Sequence, residues 1–316
     1  MLPQPVSFSD AEILRARGPR NPADPWQPYH FLVEPEYSAD DTVDDVATIF
    51  LTGCECPFTC LMCDLWKNTT REAVPAGAIP AQIEFALRQL PPARHIKLYN
   101  SSNFFDRRAV PTQDLPQIAQ QVGRFRTVIV ENHPKLCGPA CAEFQQQCGT
   151  QLEVALGLET SHAPTLAALN KQMTVADFSR ACRILLQDRI RIRAFVLLRP
   201  PGVSEEQGVR QAIDSVKFAF DCGVSCCSVI PVRSGNGILE LLQRQGQYTP
   251  PTLRSLVTVC EETLGWGRGR VQADLWDLER LATCPECRDA VTHRLRAMNL
   301  TQRVPPAVTC SRCDRA

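Results

Sequence analysis

Four thiols lie within ten residues of one another in the stretch Cys54-Glu-Cys-Pro-Phe-Thr-Cys-Leu-Met-Cys63. From Cys56 the spacing reads C-x3-C-x2-C. Three thiolates so close in sequence can converge without help from distant residues. They suit a cubane [4Fe-4S] cluster with three irons held by protein and the fourth left open to a small ligand. An open iron implies chemistry. Free cysteines also fill cores, and C-x2-C pairs also bind structural zinc. Against those readings stand the three-two spacing, the strand-like run just before it, and the apolar Phe58, Leu61, Met62, Leu65 and Trp66. Such side chains shield a cluster from water and help set its potential. Cys54 offers a second choice of first ligand, through C-x5-C-x2-C to Cys60 and Cys63.

A second set of thiols stands near the end of the chain. Cys284-Pro-Glu-Cys287 and Cys310-Ser-Arg-Cys313 form two C-x2-C knuckles separated by 22 residues, close to the spacing of a zinc ribbon, and four thiolates close a tetrahedron. Structural zinc is favoured here over an auxiliary [4Fe-4S] cluster. Both pairs are complete, and they sit in a short polar tail whose small core metal would help to fold. Cys137, Cys141, Cys148, Cys182, Cys222 and Cys260 read as helix and core residues. Sixteen cysteines grouped in this way indicate a reducing compartment, not a disulfide framework.

The elements that must position these groups alternate in type. Strand-like apolar runs at Val46 to Leu51, Ile96 to Tyr99, Thr127 to Glu131, Leu152 to Leu158, Arg193 to Leu198 and Cys226 to Val232 are separated by amphipathic helices. The helices fall at Ala81 to Leu90, Leu115 to Phe125, Ala140 to Gln147, Val175 to Gln187 and Glu205 to Phe220. This is the pattern of βα units around a buried parallel sheet. Six units over residues 46–245 fall short of the eight a closed (β/α)8 barrel needs, so the expected fold is a partial, open (β/α)6 TIM-like barrel. Residues 1–45, with seven prolines from Pro3 to Pro35 and one helix-like segment starting at Asp10, read as an extended wrap, because proline removes donors from helix and sheet interiors. The division expected is a wrap at 1–45, a barrel at 46–275 and a metal-binding segment at 276–316.

In βα barrels chemistry gathers at the C-terminal ends of the strands. The first such end carries the cysteine loop. The second carries Ser101, Ser102 and Asn103, and the third Glu131, Asn132 and His133, which are potential substrate contacts; a loop histidine is equally explained by a hydrogen bond to backbone. At the fourth, Glu159 follows a buried apolar run and needs a partner there. At the fifth, Arg199 can grip a carboxylate bidentately. The sixth gives Arg233-Ser-Gly-Asn-Gly237, whose glycines let backbone approach a ligand. Of the adjacent Cys226 and Cys227, one must face the barrel interior, where a core thiol is the simpler reading.

With its C-x3-C-x2-C loop at a strand end, the chain resembles the radical S-adenosylmethionine (SAM) superfamily. Lys97-Leu-Tyr-Asn-Ser-Ser-Asn-Phe-Phe-Asp, Gly-Leu-Glu-Thr-Ser, Leu-Leu-Arg-Pro-Pro and Gly-Gln-Tyr-Thr-Pro-Pro251 resemble its Elp3-like branch and, within that, the archaeosine-synthase group, which acts on a modified guanine in tRNA. The resemblance spans roughly residues 46–255 and implies a radical SAM barrel with Cys56, Cys60 and Cys63 as cluster ligands. SAM would bind at the open iron. Ser101, Ser102 and Asn103 stand where the superfamily has a Gly-Gly-Glu stretch that holds the SAM amino group, and Met62 where an aromatic usually touches adenine. Glu159 takes the position of a side chain that contacts the ribose or methionine part, and Arg199 grips SAM or substrate. The implied reaction cleaves SAM to methionine and a 5′-deoxyadenosyl radical that abstracts hydrogen from a substrate, a small molecule or a tRNA nucleobase. An external electron donor would reduce the cluster. The alternative is a non-enzymatic zinc-binding adaptor or RNA-binding protein.

Charge narrows the partners. The formal net charge is zero, so no global field steers the chain to nucleic acid. The ends nevertheless differ: residues 1–50 hold nine acidic side chains against three arginines, while from Arg280 onward seven arginines face Glu286, Asp289 and Asp314. Such a tail can meet phosphates through Arg288, Arg294, Arg296 and Arg303, although a merely solvated surface is the simpler reading. The start lacks a charged, apolar signal pattern and no run reaches the length of a membrane span. A cytoplasmic protein with no membrane partner is expected.

Overall fold

A computed structural model describes residues 7–281 and 284–313. In chain order the elements are α1 (Asp10–Ala16), β1 (His30–Tyr37), β2 (Val43–Phe50), α2 (Ala78–Leu87), β3 (His95–Tyr99), α3 (Leu115–Val122), β4 (Thr127–Asn132) and α4 (Pro139–Cys148). They continue as β5 (Gln151–Glu159), α5 (Ala163–Ala168), α6 (Val175–Gln187), β6 (Arg191–Leu198), α7 (Glu205–Asp221), β7 (Cys226–Pro231), α8 (Ile238–Arg244), α9 (Leu253–Gly265), β8 (Arg270–Ala273) and α10 (Arg288–Thr301). The strands form one eight-stranded sheet in the order β1 to β8. It curls into a partial barrel. Only β1 runs antiparallel, pairing with β2 from His30↔Phe50 to Tyr37↔Val43.

Local chemistry sets these elements. The β-branched run Thr127-Val-Ile-Val makes β4, and β5 is buried over nearly its whole length, as strands covered on both faces must be. Helices begin where side chains satisfy their first N–H groups: Thr174 with Asp177 caps α6, and Ser204 with Gln207 caps α7. The six expected strands are all present. Two more lie at the edges. β1 falls within the expected wrap and includes Pro35, which an edge strand tolerates because one side of it needs no ladder donor. β8 is four residues long with Arg270 and Gln272 inside it, too short and polar for an apolar pattern to reveal.

The barrel floor is ionic. Arg193 on β6 donates to Glu36 on β1 at 2.6 Å and to Glu153 on β5 at 2.7 Å, and Arg270 on β8 reaches Glu153 at 2.8 Å. Lys97 on β3 also pairs with Glu36. Burial alone would raise these carboxyls, but Arg193 and Arg270 bring Glu153 down to about 2, and Arg193 with Lys97 holds Glu36 well below the usual range. Higher in the barrel, Tyr99 and Phe195 meet edge to face at 6.3 Å.

Helix α10 packs against β1, β8 and α9, on the side left open between the two edge strands. Its side chains stand in for a missing strand. Asn299 Oδ1 accepts from Ala273 N at 2.8 Å while its Nδ2 donates to Ala273 O at 2.9 Å; Gln302 does the same with Val271 N at 2.8 Å and Val271 O at 3.0 Å. No helix among the described residues is long and apolar enough to cross a membrane.

Arg193 is 2% exposed and faces two buried carboxylates. Changing Arg193→Met should leave each carboxylate with a single cation, Lys97 for Glu36 and Arg270 for Glu153, and lower stability by about 3 kcal/mol in urea unfolding at neutral pH. A loss below about 1 kcal/mol would mean that the carboxylates are solvated.

Candidate active site

The cysteine loop leaves β2 through Gly53, where an added Cβ would stand 3.1 Å from Asn100 O on the neighbouring strand end. That close approach favours glycine, since a side chain would push the neighbouring backbone by a few tenths of an ångström. Cys54 then turns into the core, fully buried, with its Sγ 3.7 Å from Arg71 O. Cys56 Sγ instead accepts from Asn103 Nδ2 at 3.1 Å, which ties it to the β3 end at the barrel mouth. Burial pushes Cys60 up to about 11, and also raises Cys56 and Cys63. Thiols in this setting ionise when a metal replaces the proton.

The loop is held from several sides. Leu61 is buried with Ile13 of α1 and with Leu169, Leu197 and Val232. Its N–H donates to Leu169 O at 2.9 Å and its carbonyl accepts from Asn236 Nδ2 at 2.6 Å. Trp66 lies under Arg17 and Arg20, 4.9 and 5.7 Å from its ring, and both arginines pair with Glu55. Asn170 Nδ2 joins Asp10 at 2.6 Å and Thr59 O at 2.9 Å. The N-terminal segment thus clamps the loop.

At the β3 end, Ser101 has a left-handed backbone, φ 54°, and its Oγ meets Tyr29 Oη at 2.8 Å. Ser102 Oγ is buried without a partner. Asn103 uses its amide nitrogen on the Cys56 sulfur, which leaves its amide oxygen as an acceptor. An N–H aimed at a ligand sulfur is a means of tuning a cluster potential.

Glu159 sits at a β-bulge with φ 65°, and its partner is Lys171, Nζ to Oε1 2.6 Å. Gly157 leaves room for the pair: a Cβ there would lie 2.3 Å from both charged atoms. Although burial disfavours its charge, Lys171 is held protonated by Glu159 and by the neighbouring Cys60 and Cys56. It supplies a buried cation beside the thiols, and no motif marks it in the sequence.

Glu131, Asn132 and His133 serve the frame. Burial raises Glu131 to about 7, against the backbone N–H groups of Asn100, Ser101 and Ser102 that it braces; Asn100 N lies 2.6 Å from its Oε1. Asn132 Oδ1 accepts from Phe105 N at 3.3 Å. His133 stacks on Phe58 of the cysteine loop at 3.8 Å between centroids. Arg199 also differs from expectation: it pairs with Glu205 and donates to Pro250 O at 3.0 Å, tying the β6 loop to the start of α9. The mouth holds another arginine, Arg233, paired to Asp274 at 2.8 Å.

In the tail, the thiols of Cys284, Cys287, Cys310 and Cys313 all lie within 4.8 Å of one another. Cys284 and Cys310 are 3.9 Å apart, and Cys287 and Cys313 3.8 Å. Four sulfurs about 2.3 Å from one tetrahedral ion are separated by about 3.8 Å. Burial raises Cys284, but backbone N–H groups of Glu286 and Cys287 and the adjoining thiols bring it down to about 7. Cys56, Cys60 and Cys63 are not gathered so tightly. Among the arginines of the tail, Arg294 is no phosphate contact: it is 7% exposed and donates to Pro306 O at 2.7 Å and Pro305 O at 2.6 Å while pairing with Glu261.

A curled, mostly parallel partial barrel with a cysteine loop at its mouth is the fold of radical SAM enzymes. Methylornithine synthase, PylB, superposes with a TM-score of 0.56 at 13% identity, over 84% of this chain and 74% of that one. Elp3 of Methanocaldococcus infernus gives 0.51 at 15% identity, over 70% of this chain and 58% of the Elp3 chain. An archaeosine synthase subunit beta from Methanosarcina acetivorans is 25% identical over 283 residues, 81% of this chain and 77% of that protein. These likenesses bear out the resemblance to the Elp3-like and archaeosine-synthase groups. No family model matches.

Burial, reinforced by the Lys171 charge, lowers His133 to about 3. The ring stays neutral, with Nε2 donating to Lys171 O at 3.1 Å and Nδ1 accepting from Lys135 N at 3.2 Å. An unfolded imidazole titrates near pH 6.5. The contribution of His133 is therefore complete above that value and is lost as pH falls from there toward about 3. His133→Gln, which does not titrate, should show a shallower loss of stability than wild type between about pH 7 and about pH 5 in matched urea titrations. Equal slopes would refute it.

Proposed function

We propose that this chain is a radical SAM enzyme whose [4Fe-4S] cluster is held by Cys56, Cys60 and Cys63. The observation that carries this reading is the mouth-side loop with one buried and two half-buried thiols, a sulfur-directed N–H from Asn103 and a buried cation, Lys171, beside it. The donor set fits the cluster: three thiols for three irons, spaced more widely than ligands of one ion. When bound, the cluster supplies the electron that cleaves SAM and so delivers a hydrogen-abstracting radical. Ser102 Oγ, with no partner of its own, and the Asn103 amide oxygen are placed to hold the polar end of SAM. Lys171 offsets negative charge at the sulfurs, and Phe58, Leu61 and Trp66 keep water from the loop. Cys54, turned into the core, lies outside the ligand set in this reading.

The substrate we favour is a nucleobase in tRNA, supported by the likeness to the archaeosine synthase subunits. Arg296 and Arg303 are exposed and are the tail's contacts to phosphate. The tail itself holds a single tetrahedral ion, zinc by its four-thiol chemistry, because thiolates on separate irons of a cubane would stand farther apart than these. The electron donor is external, and the protein works in a reducing cytoplasm, where its thiols persist.

Anaerobic reconstitution followed by iron, sulfide and zinc analysis and by measurement of 5′-deoxyadenosine tests the centre. Cys56→Ala, Cys60→Ala and Cys63→Ala should each abolish SAM cleavage, and Cys54→Ala should retain part of it. A colourless protein containing only zinc would end this reading. Cys284→Ser should release the tail ion while the barrel keeps its iron; loss of four irons instead would make the tail site an auxiliary cluster. For tRNA, binding should weaken with salt, and less steeply in an Arg296→Gln, Arg303→Gln variant. A flat salt series would leave a small molecule as the substrate.

A further inference from the structure

The β7 end of the barrel mouth carries a guanidinium with two of its three nitrogens unpartnered among the described residues. Arg233 follows β7, and its Nη1 donates to Asp274 Oδ2 at 2.8 Å. Its Nε and Nη2 are shielded from water and meet no acceptor. These two N–H groups form one edge of the guanidinium, the edge that matches the two oxygens of a carboxylate or phosphate. Leaving both unsatisfied in a dry place is costly.

The position of the fork follows from strand alternation. On β8, Arg270 points into the barrel, where it meets Glu153, so Gln272 and the following Asp274 share that inward face. Asp274 therefore stands at the mouth and carries Arg233 with it. Its other oxygen accepts from Trp276 N at 3.1 Å, which fixes the carboxylate. Gln272, one step below on the same face, has a buried Nε2 that is also without an acceptor. Three orphaned donors thus lie on the β7 and β8 side of the chamber. The loop that follows Arg233 is latched to the cysteine loop by Asn236 on Leu61 O at 2.6 Å and by Lys67 on Gly235 O, so the segment that carries the fork is tied to the segment that carries the thiols. The rim above is aromatic and open, with Trp276 50% exposed and edge to face against Phe50 at 6.1 Å.

We propose that Arg233, oriented by Asp274 and assisted by Gln272, receives a carboxylate or phosphate of the substrate and sets which part of it faces the thiol side of the chamber. SAM also carries a carboxylate, but Ser102 and Asn103, proposed to hold its polar end, follow β3, which is separated from β7 by three strands of the sheet. The proposal rests on the radical SAM reading for what shares the chamber; the anion site itself does not require it.

The test uses the full chain reconstituted with iron and sulfide, titrated with inorganic phosphate and, separately, acetate, each with and without saturating SAM, by calorimetry. At least one oxyanion should bind saturably, and SAM should not displace it. Arg233→Lys keeps the charge and loses the fork, and should weaken oxyanion binding about tenfold or more, as should Arg233→Gln. The thermal midpoint of each variant checks its folding, and Asp274→Asn gives a second route that leaves the arginine in place while loosening its aim. Absence of binding in wild type, or unchanged binding in properly folded Arg233→Lys, overturns the proposal. So does displacement of the oxyanion by SAM together with weakened SAM affinity in Arg233→Lys, which would give the fork to SAM's own carboxylate. A protein that takes up no iron and binds no SAM fails the radical SAM reading instead, and the titrations without SAM still decide the anion site.

Discussion

Everything above the barrel floor depends on five charges that have no water to face. Arg193 joins Glu36 to Glu153, Lys97 shares Glu36 and Arg270 shares Glu153, so one network links β1, β3, β5, β6 and β8. A network of this kind adds little net stability over well-packed apolar side chains. Its strength is discrimination, because a strand out of register would leave a buried charge without a partner. The link from Glu36 to Arg193 matters most, since the strands it joins are far apart in the sheet order. That link sets how far the partial barrel curls, and hence the span of the mouth.

The mouth is then finished by groups whose polar atoms are nearly all used on one another. Glu131 braces the turn that bears Asn103, Asn103 reaches Cys56, and His133 stacks on Phe58. Arg17 and Arg20 from the N-terminal segment close the loop from outside by joining Glu55. Positioning of this density is what a site needs if its ligands are to stay within a fraction of an ångström of the working geometry. Among the described residues a few buried polar atoms are left over there, on Trp66, Asn100, Ser102, Arg233 and Gln272.

Much of this was legible in the residues. The six parallel strands and α6 between β5 and β6 follow from apolar runs and caps, and the C-x3-C-x2-C loop marks the site. β1 was hidden by Pro35, which is tolerated only because the strand lies at an edge, and β8 by its polar inward residues, which answer charges contributed by distant strands. Lys171 and Arg233 were invisible for the same reason: their meaning lies in partners, Glu159 and Asp274, that only the fold supplies. Arg199 shows the converse. Its place at a strand end pointed to a ligand, yet Glu205 of the following helix takes it up. The tail arginines divide likewise, with Arg294 absorbed by the proline carbonyls of its own segment.

The amide side chains of Asn299 in α10 and of Gln302 just after it, which bond Ala273 and Val271, occupy the outer edge of β8 as a neighbouring strand would. An edge of that kind is a template on which a foreign strand can add. The helix that covers it starts beside Cys287, one of four clustered thiols, which makes the covering depend on that cluster. If the sulfurs hold an ion as proposed above, a chain without it would bare the edge to other chains, and the four thiols would guard solubility as well as shape.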